Sequence, residues 1–290
     1  MGKRFLSAFI IIFALSPLWG QDIRFETSSS IDWILGELNT KLSYNLADAG
    51  IKLPNGRSMG EEILKRAYPQ FLKESLFLIR VDSDSTIKTL TLNNELTLEQ
   101  LDLACMEAGK VPPSLSPDLT SMTGRYKVRL ENLFLNLAKN KREIQKPLIP
   151  VPSADYTGII ILADEELPIH GRRTGAFAEP CLFPKIWDTD MNLIYEKNMF
   201  EGQAGLMVCY TTRENIFRPT PSGLAGKINS LVGPNPMRII AREVFGINPT
   251  DPVIHRDDAL KILSTENNRR LLREGRVVLV LNEAQLKINY

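Results

Sequence analysis

The stretch Tyr156-Thr157-Gly158-Ile159-Ile160-Ile161-Leu162 decides the fold. It is short, uncharged and rich in β-branched residues, with prolines just before it and acidic residues just after it. This pattern predicts a β-strand that is buried on both faces. Residues 277–281, Val-Val-Leu-Val-Leu, predict a second strand of the same kind. We therefore expect residues 147–290 to pack around these strands, and the preceding residues to form a separate unit.

Composition excludes some classes of partner. The chain has 290 residues, enough for two ordinary domains, and 43% of them are hydrophobic, so a substantial core is available. The formal net charge is only +1, which gives no electrostatic reason to expect nucleic acid or an anionic membrane as a partner. The three cysteines lie far from one another and from both histidines in the sequence, so they match no metal motif. Cys181 and Cys209 either pair as a disulfide after export or stay buried and reduced.

Residues 1–20 predict a signal peptide. Lys3 and Arg4 provide the positive start, and residues 5–18 form an apolar segment of 14 residues, too short for a comfortable membrane span. Cleavage before Gln21 would release the chain into a bacterial periplasm. No cysteine lies near the cut, so no lipid anchor is expected. The alternative is that the segment is retained and tethers the protein to the membrane.

The first unit, residues 21–146, is predicted to be an α+β domain. Alternating apolar residues predict strands at 38–46 and 125–130. Capping boxes at residues 58–61 and 97–100 predict the starts of two helices. Residues 111–117 contain three prolines and predict a rigid surface loop. A charged and then proline-rich stretch, residues 139–152, predicts the linker to the second unit.

The second unit, residues 147–290, is predicted to be a compact mixed β-sheet covered by helices. A hairpin turn over residues 188–191 is expected to join two strands. We expect residues 212–232 to form a long exposed loop, and the apolar spacing after Pro236 predicts a helix that ends at Gly246. Asp257 and Asp258 predict the cap of the next helix.

Short motifs of the second unit resemble a known family. They are Tyr156–Ile161, Pro180–Asp188, Asn235-Pro236, Asn248–Asp251, Asp257–Ala259 and Arg276–Leu281, in that order. Together they resemble the C-terminal domain of envelope proteins related to the flagellar outer-membrane protein FlgP and to small bacterial lipoprotein antigens. The resemblance implies a domain architecture and a cell-envelope setting, and it supplies no catalytic residues. The chain departs from the family pattern in lacking the lipid-anchor cysteine and in having Ala163 before Asp164.

No catalytic or ligand-binding motif is recognisable, so we predict no catalytic, cofactor-binding or metal-binding residues and no cofactor. Asp188 and Asp190 suit a turn as well as a calcium ion. Each histidine is expected to be structural, His170 in an exposed loop and His255 at the end of a strand or the start of a helix. The arginines 269, 270 and 273 predict a solvated basic helix face.

The leading functional hypothesis is an exported, non-enzymatic cell-envelope protein that acts through protein–protein contacts. Its expected partners are envelope or flagellar proteins, or copies of itself, and an exposed sheet edge would permit strand addition. The alternative is a periplasmic enzyme or small-ligand receptor. Its site would lie at the interface between the two units and use His170, Asp164, Glu165 and Arg172.

Overall fold

The computed structural model describes residues 23–137, 141–202, 206–217 and 223–290. The predicted signal peptide lies outside these residues, as does part of the predicted linker. The described strands are β1 (Phe25–Asp32), β2 (Glu37–Asn45), β3 (Gly109–Leu115), β4 (Ser121–Arg129), β5 (Ile159–Ala163), β6 (Glu166–Pro168), β7 (Gly175–Phe177), β8 (Ile186–Asp188), β9 (Leu193–Tyr195), β10 (Cys209–Thr211), β11 (Met237–Ile240), β12 (Glu243–Phe245), β13 (Asp251–Ile254), β14 (Val277–Leu281) and β15 (Lys287–Asn289). The described helices are α1 (Arg57–Phe77), α2 (Ile87–Leu92), α3 (Leu98–Met106), α4 (Leu130–Leu137), α5 (Arg213–Phe217), α6 (Gly223–Val232), α7 (Arg256–Ser264), α8 (Glu266–Arg273) and α9 (Glu283–Leu286). The architecture is mixed α+β, as predicted.

The first sheet is antiparallel and carries α1 on one face. Within the described residues its strand order is β15-β1-β2-β4-β3. Leu64, Leu72 and Leu76 of α1 are fully buried together with Leu38 and Leu42 of β2. The opposite face of β2 and β4 carries exposed polar residues, the usual pattern of an antiparallel sheet covered on one side.

The second sheet is parallel and is built on the stretch that opened the sequence analysis. Its order among the described strands is β10-β14-β5-β11. Every residue of β14 is buried, as is all of β5 except the partly buried Leu162. Both predictions of a strand buried on two faces are therefore confirmed.

The helix predicted after Pro236 is wrong. The segment forms β11 and β12 instead. Its apolar residues fit helical spacing, but Met237 and Ile239 also alternate with exposed residues, and β11 pairs along its whole length with β5. Pairing with a buried strand overrides local periodicity here.

The loop predicted over residues 212–232 is also wrong, because α5 and α6 occupy its described parts.

The remaining strands of the second unit form a sheet of order β12-β13-β8-β9 and the hairpin β6-β7. The predicted turn at residues 188–191 is confirmed between β8 and β9. His170, predicted to lie in an exposed loop, is in the connection between β6 and β7.

Local capping was predicted correctly in one of three places. Thr97 and Gln100 form the expected capping box at α3. Ser58 lies inside α1, whose N-cap is Gly56, and Arg57 pairs with Glu61 instead at 3.1 Å. The cap of α7 is His255, with Asp257 and Asp258 in the first turn.

Residues 109–115, mostly expected to be a loop, form edge strand β3, where two prolines accompany a register shift.

The two units share one continuous hydrophobic core. Strand β15, from the end of the chain, pairs antiparallel with β1 of the first unit. The amides of Leu182 and Phe183 donate to the carbonyls of Arg80 and Val81 at 3.1 and 2.8 Å.

None of the helices in the described part of the chain has the length and apolar character that a membrane span requires.

Candidate functional site

The four residues of the predicted interface site do not converge. His170 Nδ1 lies 2.6 Å from Glu243 Oε2, at the hairpin β6-β7. Asp164 instead accepts two hydrogen bonds from the Arg213 guanidinium, at 2.6 and 2.8 Å, and Glu165 contacts the same group at 3.1 Å. Arg172 is exposed. His170 therefore has a different partner from Asp164 and Glu165, and the four side chains do not form a common site.

The other titratable candidates have structural roles. Asp188 Oδ1 accepts hydrogen bonds from the backbone amides of Asp190 and Asn192 at 3.0 and 2.8 Å, which is how an aspartate stabilises a turn. Among the described residues no group of three His, Cys, Asp or Glu side chains is placed to hold a metal ion. Arg269, expected to be solvated, is buried and pairs with Glu266 at 2.6 Å.

The chemically richest cluster of the second unit is closed to solvent. Asp251 accepts hydrogen bonds from Thr250 Oγ1 at 2.8 Å, Lys185 N at 3.1 Å and Trp187 Nε1 at 3.4 Å. Burial raises the pKa of Asp251 to about 6. Cys181 is free and fully buried, and burial raises the pKa of its thiol well above the ordinary value. A protonated thiol is a poor nucleophile. The hydrogen bonds of Asp251 join β13 to Trp187 of β8 and to the residue just before this strand.

A more accessible feature is the edge formed by β11. This strand ends its sheet among the described residues, with β5 on its other side. The amides of Met237 and Ala241 donate to carbonyls of the β5 side at 2.9 Å. Because amides alternate in direction along a strand, those of Arg238 and Ile240 point away from the sheet. Ile240 is 62% exposed, so an apolar side chain accompanies these outward-facing backbone groups.

A groove of about 400 Å³ runs beside this edge. It lies between α6 and the outer face of β5 and β11, and its accessible lining is about equally polar and apolar, with one cation at the border. The lining includes Ile160, Ile216, Val232, Pro234, Pro236 and Arg238. Arg238 is exposed and, within the described residues, forms no ion pair. An edge strand next to a groove with apolar and polar parts suits the backbone and side chains of an extended peptide.

A larger cleft of about 1170 Å³ involves the first sheet and the joint between the units. Strands β1, β2, β4 and β15 all contribute to it, together with Arg80 and Glu179. Its charged lining is mostly basic. Lys41 of β2 lies directly opposite Arg125 of β4 in this lining. Sequence reasoning did not find this pair, because the register between β2 and β4 brings together residues that are remote in the chain.

In the described residues, three sheets and the β6-β7 hairpin lie over a shared core, and the molecule is a two-unit α+β protein. Residues 24–137 match the family model of the N-terminal domain of Treponema pallidum Tp0624, and residues 158–283 match the model of its second domain. Each unit is thus similar to one Tp0624 domain, in the same order. The chain has no match among curated proteins. Neither matched model is of the FlgP type, so that resemblance stays a prediction from the sequence.

Proposed function

We propose that the protein is an exported, non-enzymatic cell-envelope protein that binds another protein by strand addition at β11. The outward-facing backbone groups of Arg238 and Ile240 carry this proposal. They supply donors and acceptors in the register that an added strand requires. The apolar segment of residues 1–20 supports export, and the periplasm is the compartment that we infer.

The side chains beside the edge define the partner segment. Alternate residues of an added strand would point into the groove, where Ile160, Ile216 and Val232 favour apolar side chains. Arg238 lies at the border without an ion pair among the described residues, and it favours an acidic residue in the partner. The expected partner segment is therefore extended, apolar at alternate positions and acidic near Arg238.

The two edges of the first sheet are less suitable. Strand β3 carries Pro112 and Pro113 and a register shift, which protect an edge against pairing. Strand β15 is short and is exposed at Lys287 and Asn289. The edge at β11 has neither prolines nor a shift within its paired residues.

A photo-crosslinker at position 238 tests the proposal in the cells that make the protein. We expect one discrete adduct, whose partner peptide mass spectrometry identifies, and no such adduct from a crosslinker at exposed position 88 on α2. An adduct of the chain with its own copy would indicate self-assembly, and one with an envelope or flagellar protein would identify that partner.

A matched pair of variants tests the geometry. Ile240→Pro removes the outward amide without removing a hydrogen bond to β5, since proline is tolerated at a strand edge. We expect it to abolish the adduct, whereas Ile240→Val retains it. Circular dichroism establishes that both variants are folded. An adduct of equal yield in the folded Ile240→Pro variant would overturn strand addition.

A further inference from the structure

We infer that the cleft on the first sheet is a binding site for an anionic, hydroxyl-rich ligand, an acidic sugar oligomer in chemical class. The site is separate from the β11 edge and does not depend on the proposed function. The inference rests on the charges that strand register brings together and on the polar groups beside them.

The central observation is a pair of like charges in direct register. Lys41 and Arg125 are cross-strand partners on neighbouring antiparallel strands, and both are exposed. Directly opposed side chains have Cβ atoms about 5 Å apart, so two cations in this position repel each other and destabilise the sheet. An anion bound between them would attract both cations and so offset their mutual repulsion.

Neighbouring acids do not compensate the pair. Glu37 pairs with Lys127 at 2.8 Å, and Glu179 pairs with Arg80 at 3.0 Å. Within the described ranges, Lys41 and Arg125 form neither an ion pair nor a hydrogen bond. The nearest acid along β1 is Glu26, one row beyond Ser28 on the same face; it lies opposite Ser43 and forms no ion pair either.

Neutral polar groups extend the basic pair across the sheet. Ser28 lies opposite Lys41, and the next row on this face holds Ser30 opposite Asn39, which in turn lies opposite Lys127. All of these residues line the cleft. Rows of hydroxyl, amide and ammonium groups are suited to a ligand that presents many oxygen atoms, as a sugar oligomer does.

Cleft size excludes a simple ion as the full ligand. About 1170 Å³ is above the usual range for small-molecule sites and exceeds what one phosphate or carboxylate fills. The acidic groups of the ligand could be carboxylates or phosphates, because both accept hydrogen bonds from arginine and lysine.

Titration calorimetry on the intact chain tests the inference with three probes. They are a hexameric oligogalacturonide, a phosphorylated maltohexaose and unmodified maltohexaose. We expect binding of at least one acidic probe, weakened by added salt, and no binding of the neutral sugar. Binding of only one acidic probe would identify the acidic group. The absence of binding by both acidic probes at low salt would overturn the inference.

A double variant and a matched control localise the site. Lys41→Gln with Arg125→Gln should weaken binding at least about tenfold and leave the melting temperature unchanged or higher, because repulsion is relieved. Lys88→Gln with Arg172→Gln removes two exposed cations elsewhere and should bind as the parent does. Equal affinity of the folded double variant and the parent would also overturn the inference.

Discussion

Asp251 shows how a single buried carboxyl makes stability depend on pH. It is 1% exposed, and burial raises its pKa from an ordinary 3.8 to about 6 in the folded chain. Between these values the folded state retains a proton that the unfolded state has lost. The contribution to stability is therefore complete below about pH 4 and is lost as the pH rises through 6, a change on the order of 3 kcal/mol.

The variant Asp251→Asn removes this titration. We expect the free energy of unfolding of the variant minus that of the parent to increase by about 3 kcal/mol from pH 4 to pH 7, because the parent loses this stability and the variant does not. Urea unfolding at several pH values measures this difference, and comparison with the parent cancels the other groups. Asp155→Asn, at an exposed position, should give a difference that does not vary with pH. A flat profile for Asp251→Asn would contradict the shifted pKa.

At the scale of elements, Thr157 and Gly158 connect the central strand to α6. Thr157 Oγ1 donates to the Val232 carbonyl at 2.7 Å and accepts from the Asn235 amide at 2.9 Å. A Cβ atom at Gly158 would lie 2.4 Å from Val232 Cα, a distance that no packing permits without backbone movement. The Thr157-Gly158 and Asn235-Pro236 motifs of the sequence are thus parts of one joint.

Gly158→Ala should therefore destabilise the fold by about 1–3 kcal/mol, the usual cost of overpacking. Thermal unfolding followed by circular dichroism measures the loss. Gly226→Ala, in α6, provides the control because nothing lies within 4 Å of the added Cβ, and alanine favours a helix. If both variants have the same melting temperature, the close approach of Gly158 to Val232 does not constrain the fold.

The sequence predicted elements well where one strand or one turn contains its own signal. The unbroken apolar run of β14 and the Thr97–Gln100 box needed no distant partner for their interpretation. Prediction failed at β11, where the pattern fitted a helix and a strand equally and pairing with β5 decided. It failed again for the candidate site, since His170 and Asp164 are close in sequence but have different partners, Glu243 and Arg213.

At the scale of the whole molecule, the units are joined by packing as well as by the linker. Leu286 is fully buried just before β15, and its carbonyl accepts a hydrogen bond from Trp33 N at 3.0 Å. Trp33 also packs edge-on against Tyr210 of the second unit, with ring centroids 5.7 Å apart. These contacts predict that the two units unfold together.

Leu286→Ala tests this coupling. Loss of a fully buried leucine should cost about 2–5 kcal/mol and lower one shared melting transition. Fluorescence of Trp187, measured in a variant with the other two tryptophans replaced by phenylalanine, reports on the second unit, and circular dichroism reports on both units together. The exposed Ile149→Ala should change neither. Two separate transitions in the parent would show that the units are independent.

The sequence by itself determined the buried strands, the α+β class and the expectation of export. Those properties depend on local composition and on the spacing of apolar residues, and both can be read directly from the sequence. Only the tertiary structure decided the edge at β11, the like-charge pair of Lys41 and Arg125, and the pairing of β15 with β1. Each of these depends on strand register between segments remote in the chain, and register is set by the packing of the whole core.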